Sequence, residues 1–321
     1  MRLRIATFNA ENLFARFRFA ARVDPRRAEH EGFTIDDLAF GIHDAGQKHL
    51  TAGVIAATGA DVVALQEVEG LDALKRFRDR YLGGAARYPY VMCIDGNDPR
   101  FIDVALLSRY PIVHARSWQH LAGPTGLVFS RDCLETVVDV PGAGPLTLFV
   151  NHFKSMRAPR DPEHGRAGTA ATRGEQADAV RTIVTEHFGD RIGTEWFAVL
   201  GDLNDYRGDD ERGTCAITAL LDWDAVVDPV LELAPEEQWT HYSAPGIGHP
   251  DAQYRQLDYL LLSRALDAHR VGPPDIVRSG LARNAARYRG ARLAGVGPDR
   301  PNASDHGATV VELDLPGAAR A

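Results

Sequence analysis

Short apolar runs recur along the chain: "IATF" at 5–8, "DVVALQEV" at 61–68, "DVALLS" at 103–108, "LTLFVNHF" at 146–153, "EWFAVLGDLN" at 195–204, "LDYLLLS" at 257–263 and "ATVVEL" at 308–313. They are continuous rather than alternating, which predicts strands buried on both faces. "CLETVVDV" at 133–140 fits another, more half-exposed strand. Helical periodicity lies between them. "QKHLTAGVIAATG" (47–59) carries apolar residues at helical spacing and ends in Gly59, a C-cap signal. "GLDALKRFRDRYL" (70–82) and "GEQADAVRTIVTEHF" (174–188) are amphipathic at the same period. Doubly buried strands interleaved with such helices predict an α/β architecture, sheet inside and helices outside. Segments 15–46, 157–172 and 272–303 read as irregular, and ordered loops of that length are often functional. No repeat, low-complexity tract or dividing linker breaks the pattern, so one domain over 1–321 is expected.

The apolar runs share an oddity. "RIATFN" ends at Asn9, "DVVALQE" at Glu67, "LTLFVNH" at His152, and "FAVLGDLN" at Asp202 and Asn204. Two later runs carry the polar group at their start: Asp258 before "YLLLS", and Asp305-His306 before "GATVVEL". If the last two strands run antiparallel to the others, these groups gather at one rim. Strand period puts Asp202 with Asn204, and His152 with Lys154, on shared faces. Each residue has an ordinary explanation: a turn former at Asn9, an arginine-paired carboxylate at Glu67, a satisfied core histidine at His152, an Asx turn at 202–204, a strand-edge acid at Asp258. Those explanations would have to hold together in every strand. The gathered set of carboxylates, amides and imidazoles suits a hard divalent cation on oxygen ligands, with histidines left for proton work. Zinc fits less well, since no C-x-x-C or His-x-x-x-His helix is present. No Walker loop and no G-x-S-x-G elbow occurs.

Composition narrows this further. The net charge of −8 excludes a basic nucleic-acid coat but leaves room for a local basic patch. Cys93, Cys133 and Cys215 are scattered and odd in number, which argues against a disulfide framework and suits a reducing cytoplasm. "MRLRIATFNAENLF" reads as a first strand, not a signal peptide, and no apolar run reaches membrane-spanning length, so a cytoplasmic protein is expected. Of 36 basic residues only Lys48, Lys75 and Lys154 are lysine. Lys154 therefore departs from the chain's habit, and as a compact point charge it is a candidate phosphate contact.

The motifs "TFNAENLF", "ALQEVEG", "VNHFKSM", "GDLND", "QLDYLLLS" and "SDHGATVVEL", in this order, resemble the endonuclease/exonuclease/phosphatase superfamily, and the likeness runs from Ile5 to Leu313. The resemblance implies a four-layer α-β-β-α sandwich of two mixed sheets flanked by helices. It also implies Mg²⁺-dependent phosphoester hydrolysis, with Mn²⁺ able to substitute and the number of ions open. Carried over by motif, Glu67 is the principal metal ligand, and Asn9 and Asp305 contribute at the metal or its waters. His306, oriented by Asp258, is general base or phosphate-contacting imidazole. Asp202 positions or deprotonates the attacking water, Asn204 holds a phosphate oxygen, and His152 matches the histidine near the leaving group. That histidine is absent from the abasic-site repair branch, so the chain departs from that pattern. Lys154, Arg157 and Asn12 are placed on the substrate-binding side.

The substrate expected is nucleic acid, DNA or RNA, cleaved as a phosphodiester. Arg157, Arg160, Arg166 and Arg173, and then Arg278, Arg283, Arg287, Arg289 and Arg292, flank the His152 and SDH motifs and suit a polyanion. Surface arginine as the default cation of this chain explains them as well. A phosphatase or a phosphodiesterase for a small metabolite or lipid headgroup is the alternative. A catalytically dead binding scaffold would show gaps at the metal and base positions, and none is missing. No membrane and no obligate protein partner is expected.

Overall fold

The computed structural model describes residues 1–19, 24–31, 35–42, 45–124, 126–157, 165–246 and 249–317. Two six-stranded sheets form its centre. The first runs Asp275–Val277, Ala308–Asp314, Arg2–Leu13, Val62–Val68, Asp103–Ser108, Tyr90–Cys93. The second runs Val226–Val227, Asp258–Ser263, Phe197–Asp202, Gly144–His152, Cys133–Val140, Ile112–Ser117. Each sheet has one parallel pair, Arg2–Leu13 with Val62–Val68 and Gly144–His152 with Phe197–Asp202, and all other neighbours are antiparallel. A parallel pair needs a crossover, and the helices Ala45–Thr58 and Gly165–Phe188 supply one each. The last two long strands do run antiparallel to their neighbours, Ala308–Asp314 to Arg2–Leu13 and Asp258–Ser263 to Phe197–Asp202.

Side-chain alternation builds the layers. Leu3, Ile5, Val62 and Ala64 of the first sheet meet Leu148, Val150, Ala198, Leu200, Leu260 and Leu262 of the second in one buried core. On the outer faces, Ala6, Phe8, Val63 and Leu65 pack on Leu50, Val54, Leu74 and Phe77 of two helices, while Phe149, Phe197 and Val199 pack on Val180, Ile183 and Val184 of the third. The result is helix, sheet, sheet, helix. Among the described residues no helix is long and apolar enough to cross a membrane.

The irregular segments differ from expectation. Within 15–46, the strands Ala15–Phe19 and Ile35–Ile42 pair antiparallel around the short helix Pro25–Glu31. Within 157–172, residues 158–164 lie outside the described set, and a helix begins at Gly165, nine residues before the stretch its periodicity predicts. The amphipathic pattern fails there because the helix buries polar groups. Arg166 and Arg173 both reach Asp205, at 2.8 and 3.0 Å, and all three side chains are almost fully buried. Segment 272–303 contains the strand Asp275–Val277 and is otherwise turns.

Candidate active site

The rows of side chains that face between the sheets do not stay apolar to their ends. Alternation carries Ile5 and Thr7 to Asn9, Leu148 and Val150 to His152, Ala198 and Leu200 to Asp202, and Leu262 and Leu260 back to Asp258. Each polar residue takes the next inward position, where the inter-sheet layer opens to solvent. A cleft of about 440 Å³ sits there. Glycine makes the closest part possible. Gly201 has φ +136°, and a Cβ on it would lie 1.9 Å from the carbonyl oxygen of Asn151, between the His152 and Asp202 strands.

Glu67 reaches the cleft by another route. By alternation it would follow Val63 and Leu65 toward the outer helices. Instead the ladder slips between Leu65 and Val68 on one side and between Asn9 and Leu13 on the other. Glu67 has φ +61°, and Glu11 and Asn12 also have positive φ. A bulge of this kind re-aims a side chain, here into the cleft. The backbone N–H of Asn12 donates to Glu67 Oε2 at 3.0 Å. Asn9 Nδ2 donates to Asp202 Oδ2 at 3.1 Å and reaches Glu67 Oε1 at 3.4 Å, while its oxygen accepts the Glu11 N–H at 3.0 Å. Asn9 therefore holds the two carboxylates in place and turns its own oxygen away from them.

The His306 ring is fixed from behind. Its Nδ1 lies 2.8 Å from Asp258 Oδ2, which also accepts the Thr240 hydroxyl at 2.6 Å. The Thr240 oxygen in turn accepts the N–H groups of Leu257 and Asp258, both at 3.0 Å. Nε2 of His306 is left facing Asp202 Oδ2 at 4.0 Å and Asp305 Oδ1 at 3.6 Å. Burial opposes a charged ring here, but the charge and hydrogen bond of Asp258, with Asp202 and Asp305, outweigh it and hold the His306 pKa well above the usual imidazole range. Ser304 sets the loop: its hydroxyl donates to the Asn9 carbonyl at 2.7 Å and accepts the His306 N–H at 3.0 Å.

Asp202 is buried, and burial raises its carboxyl to about 7, helped by Asp258 and opposed by His306 and Asn9. The Asn204 N–H donates to Asp202 Oδ1 at 2.9 Å, so the Asx turn and the site are one arrangement. The amide of Asn204 donates to Asp202 Oδ2 at 3.0 Å and to the Phe153 carbonyl at 3.1 Å. Both hydrogens are thus engaged within the wall. His152 is buried, and burial followed by the positive charges of Arg131 and His306 keeps it well below its ordinary pKa. Its Nε2 lies 3.7 Å from Asp202.

Asn12, Glu67, His152, Arg157, Asp202, Asn204, Asp305 and His306 all line the cleft. Asn9 and Asp258 stand one layer behind. Lys154 is not on the lining. Its strand ends at His152, so the two-residue rule does not carry to it, and its ammonium lies 3.3 Å from the carbonyls of Ser155 and Arg157. Five of the nine arginines in the two segments are held by other parts of the fold. Arg166 and Arg173 are buried on Asp205, Arg278 binds the Trp239 carbonyl, Arg283 the Val296 carbonyl, and Arg292 the carbonyls of Leu281 and Ala285. Arg160 lies outside the described residues.

Sequence reasoning missed Glu11, Arg100, Arg131, His241 and Arg300 on the lining, and Thr240 behind it. Glu11 pairs with Arg300, and Arg131 donates to the Phe153 carbonyl. His241 is brought in because its segment pairs with 305–307, through Tyr242 N–H to the Asp305 carbonyl (2.9 Å) and Gly307 N–H to the Thr240 carbonyl (2.6 Å). Its Nε2 then lies 3.6 Å from Asp305 Oδ2. Burial favours the neutral acid at Asp305, but His241 and His306 overcome it and lower its pKa. "WTHYS" is too short to show a period, so nothing in the sequence marked it.

Behind Ile102, Asp103 is fully buried, with Oδ1 accepting the Gly96 N–H at 3.0 Å and Oδ2 without a partner. Burial, with Asp95 adding, raises it to about 7. The unfolded chain releases that proton near pH 4 while the fold retains it, so stability falls as pH rises from about 4 to about 7. Asp103→Asn is expected to raise Tm at pH 8, leave it unchanged at pH 4, and flatten the profile between. An equal Tm offset at every pH would remove this reading.

The donor set is oxygen-rich, with Glu67, Asp202, Asp305 and Glu11 around the cleft, and it fits a hard divalent cation. Two further groupings, Asp202–Asp258–His306 and His241–Asp305–His306, each keep their donor atoms within 4.8 Å of one another.

A model of the Endonuclease/Exonuclease/phosphatase family matches residues 7–306. The fold is that of an endonuclease/exonuclease/phosphatase from Beutenbergia cavernae (TM-score 0.60, 20% identity, covering 100% of this chain and 73% of that one). It is also that of the human Nocturnin catalytic domain (0.60, 16%, 98% and 94%) and of a Bacteroides thetaiotaomicron mannosyl-6-phosphatase (0.58, 15%, 98% and 100%). Among curated protein sequences, none matches. The family match takes in every motif from Asn9 to His306 that builds the cleft, and the chain belongs to the endonuclease/exonuclease/phosphatase family, whose members hydrolyse phosphoesters.

Proposed function

We propose that the protein is a divalent-metal-dependent phosphodiesterase that cleaves DNA or RNA by in-line attack of an activated water. The observation that carries it is the buried Asp258–His306 pair, with the free His306 nitrogen facing Asp202, which Asn9 links to Glu67. Mg²⁺, or Mn²⁺ in its place, would be held by Glu67 and Asp305, with Asn9 fixing the Glu67 carboxylate. When bound, the ion supplies charge stabilisation to a phosphoryl and a leaving oxygen. The chain supplies the rest. Asp202, with its raised pKa, takes the proton of the attacking water. His306, kept as imidazolium by Asp258, donates to a phosphoryl oxygen as negative charge builds. His152, kept neutral, contacts the substrate on the leaving-group side. Asn204 and Asn12 shape the walls, and Arg157 offers a cation to phosphate. Lys154 supports that contact by holding the loop that carries Arg157.

One assay tests the reading: plasmid DNA, RNA, bis-p-nitrophenyl phosphate, p-nitrophenyl phosphate and inositol phosphates, each with Mg²⁺, Mn²⁺ or EDTA. Diester cleavage that stops in EDTA is expected. Turnover of monoesters alone would replace the nuclease reading with a phosphatase. No turnover of any ester would point to a binding scaffold.

A further inference from the structure

A second cleft, of about 330 Å³, lies against the catalytic one. Two short stretches of chain run from one to the other. Trp239 lines the second and His241 the first; Gln256 lines the second and Leu257 the first. Residues two apart have Cα atoms at most about 7 Å apart, so one bound chain can touch both. The second cleft is lined by aromatics and arginines in register: Tyr206, Trp239 and Tyr254 with Arg207, Arg255 and Arg287. The Arg287 guanidinium stacks 4.4 Å from the Tyr254 ring centroid, and that of Arg255 lies 4.8 Å from Tyr206. Tyr254 in turn packs edge-on against Trp239 at 4.9 Å.

Arg287 carries the case for a ligand. Arg207 is neutralised by Asp228 at 3.3 Å, and Arg255 faces Asp210 at 3.8 Å. Arg287 is exposed and has no carboxylate within ion-pair distance among the described residues. Stacking on Tyr254 holds its plane while leaving its edge donors free, the arrangement that suits phosphate. Asp209 and Asp210 also line the cleft, but Asp210 is taken up by Arg166 and the Tyr206 hydroxyl, and Asp209 by the Cys215 N–H.

We propose that this cleft is a nucleotide subsite for single-stranded nucleic acid, taking a unit next to the one in the catalytic cleft. A backbone phosphate sits on Arg287, and a base lies flat on the arginine planes. The assignment rests on the phosphodiesterase reading for its direction, but its test does not need catalysis. Binding of a fluorescein-labelled single-stranded oligonucleotide is followed by anisotropy in EDTA, for the wild type and Arg287→Gln. Arg287→Gln should raise Kd roughly tenfold and lower the slope of log Kd against log salt by about 0.7. Hydrolysis of bis-p-nitrophenyl phosphate, which is too small to reach the second cleft, should be the same in wild type and Arg287→Gln. No oligonucleotide binding, or a Kd and salt slope unchanged in Arg287→Gln, overturns the subsite even where diester hydrolysis is intact. Oligonucleotide binding that weakens as stated in a protein that turns over no diester keeps the subsite and removes the catalytic reading instead.

Discussion

Replacing His306 with alanine is expected to lower kcat/KM on a phosphodiester by about 10³-fold or more, mostly in kcat. The ring is the group in the cleft with the most complete support: Asp258 at 2.8 Å, Thr240 behind it, and Ser304 fixing its backbone. Full activity in His306→Ala would overturn the site. Asp258→Asn separates the two roles open to the imidazole. Asp258 raises the His306 pKa, so its neutralisation lowers that pKa. If His306 acts as imidazolium, the alkaline limb of the pH–rate profile moves to lower pH in Asp258→Asn. If it acts as a neutral base, the acidic limb moves to lower pH and the variant gains relative activity in acid. The imidazolium reading expects the first. A folding control matters, because alanine at 306 leaves Asp258 buried beside Thr240 alone, and Asp258 Oδ1 already lacks a partner. Tm of both variants separates lost chemistry from lost structure.

The strand ends were legible because one physical rule governs them. A row facing a sheet-to-sheet core should stay apolar, so Asn9, His152, Asp202 and Asp258 at its ends are departures that chain patterning exposes. The same continuous apolar runs carry an interior of sheet with helices outside, whereas the division into two sheets came from the motif resemblance and the strand directions from the condition that the polar ends meet. What patterning does not carry is anything that breaks its period. The bulge at Glu67 is invisible in "VVALQEV", where alternation sends Glu67 outward. The early start of the Gly165–Phe188 helix is hidden because its inward groups include Arg166 and Arg173, whose burial depends on Asp205 from a distant loop. Lys154 misled in the opposite way: its spacing from His152 was right only if the strand continued, and the strand stops. His241 and Thr240 reach the site through pairing with 305–307, a long-range contact that leaves no local trace.

Glu67→Gln is expected to weaken divalent-ion binding by about 10- to 100-fold or more and to cut phosphodiesterase activity by at least about 10²-fold at low Mg²⁺. The substitution is chosen for its shape. Glutamine keeps an oxygen to accept the Asn12 N–H, which lies 3.0 Å from Glu67 Oε2, and so preserves the bulge that aims position 67 at the cleft. What it removes is one negative charge and the second carboxylate oxygen, which is met only weakly by Asn9 at 3.4 Å. An oxygen satisfied so poorly by the chain is available to a cation. Mn²⁺ binding, followed by electron paramagnetic resonance, reads the loss without relying on turnover. Raising the metal concentration should restore part of the activity of Glu67→Gln and none of that of His306→Ala, because only the first defect lies in holding the ion. Equal Mn²⁺ affinity in wild type and Glu67→Gln would move the ion away from Glu67. Among the described residues, the two cleft groupings that share His306 would then be the places left for it, and the imidazolium role of that ring would fall with the change, since a nitrogen bound to a metal cannot carry the proton.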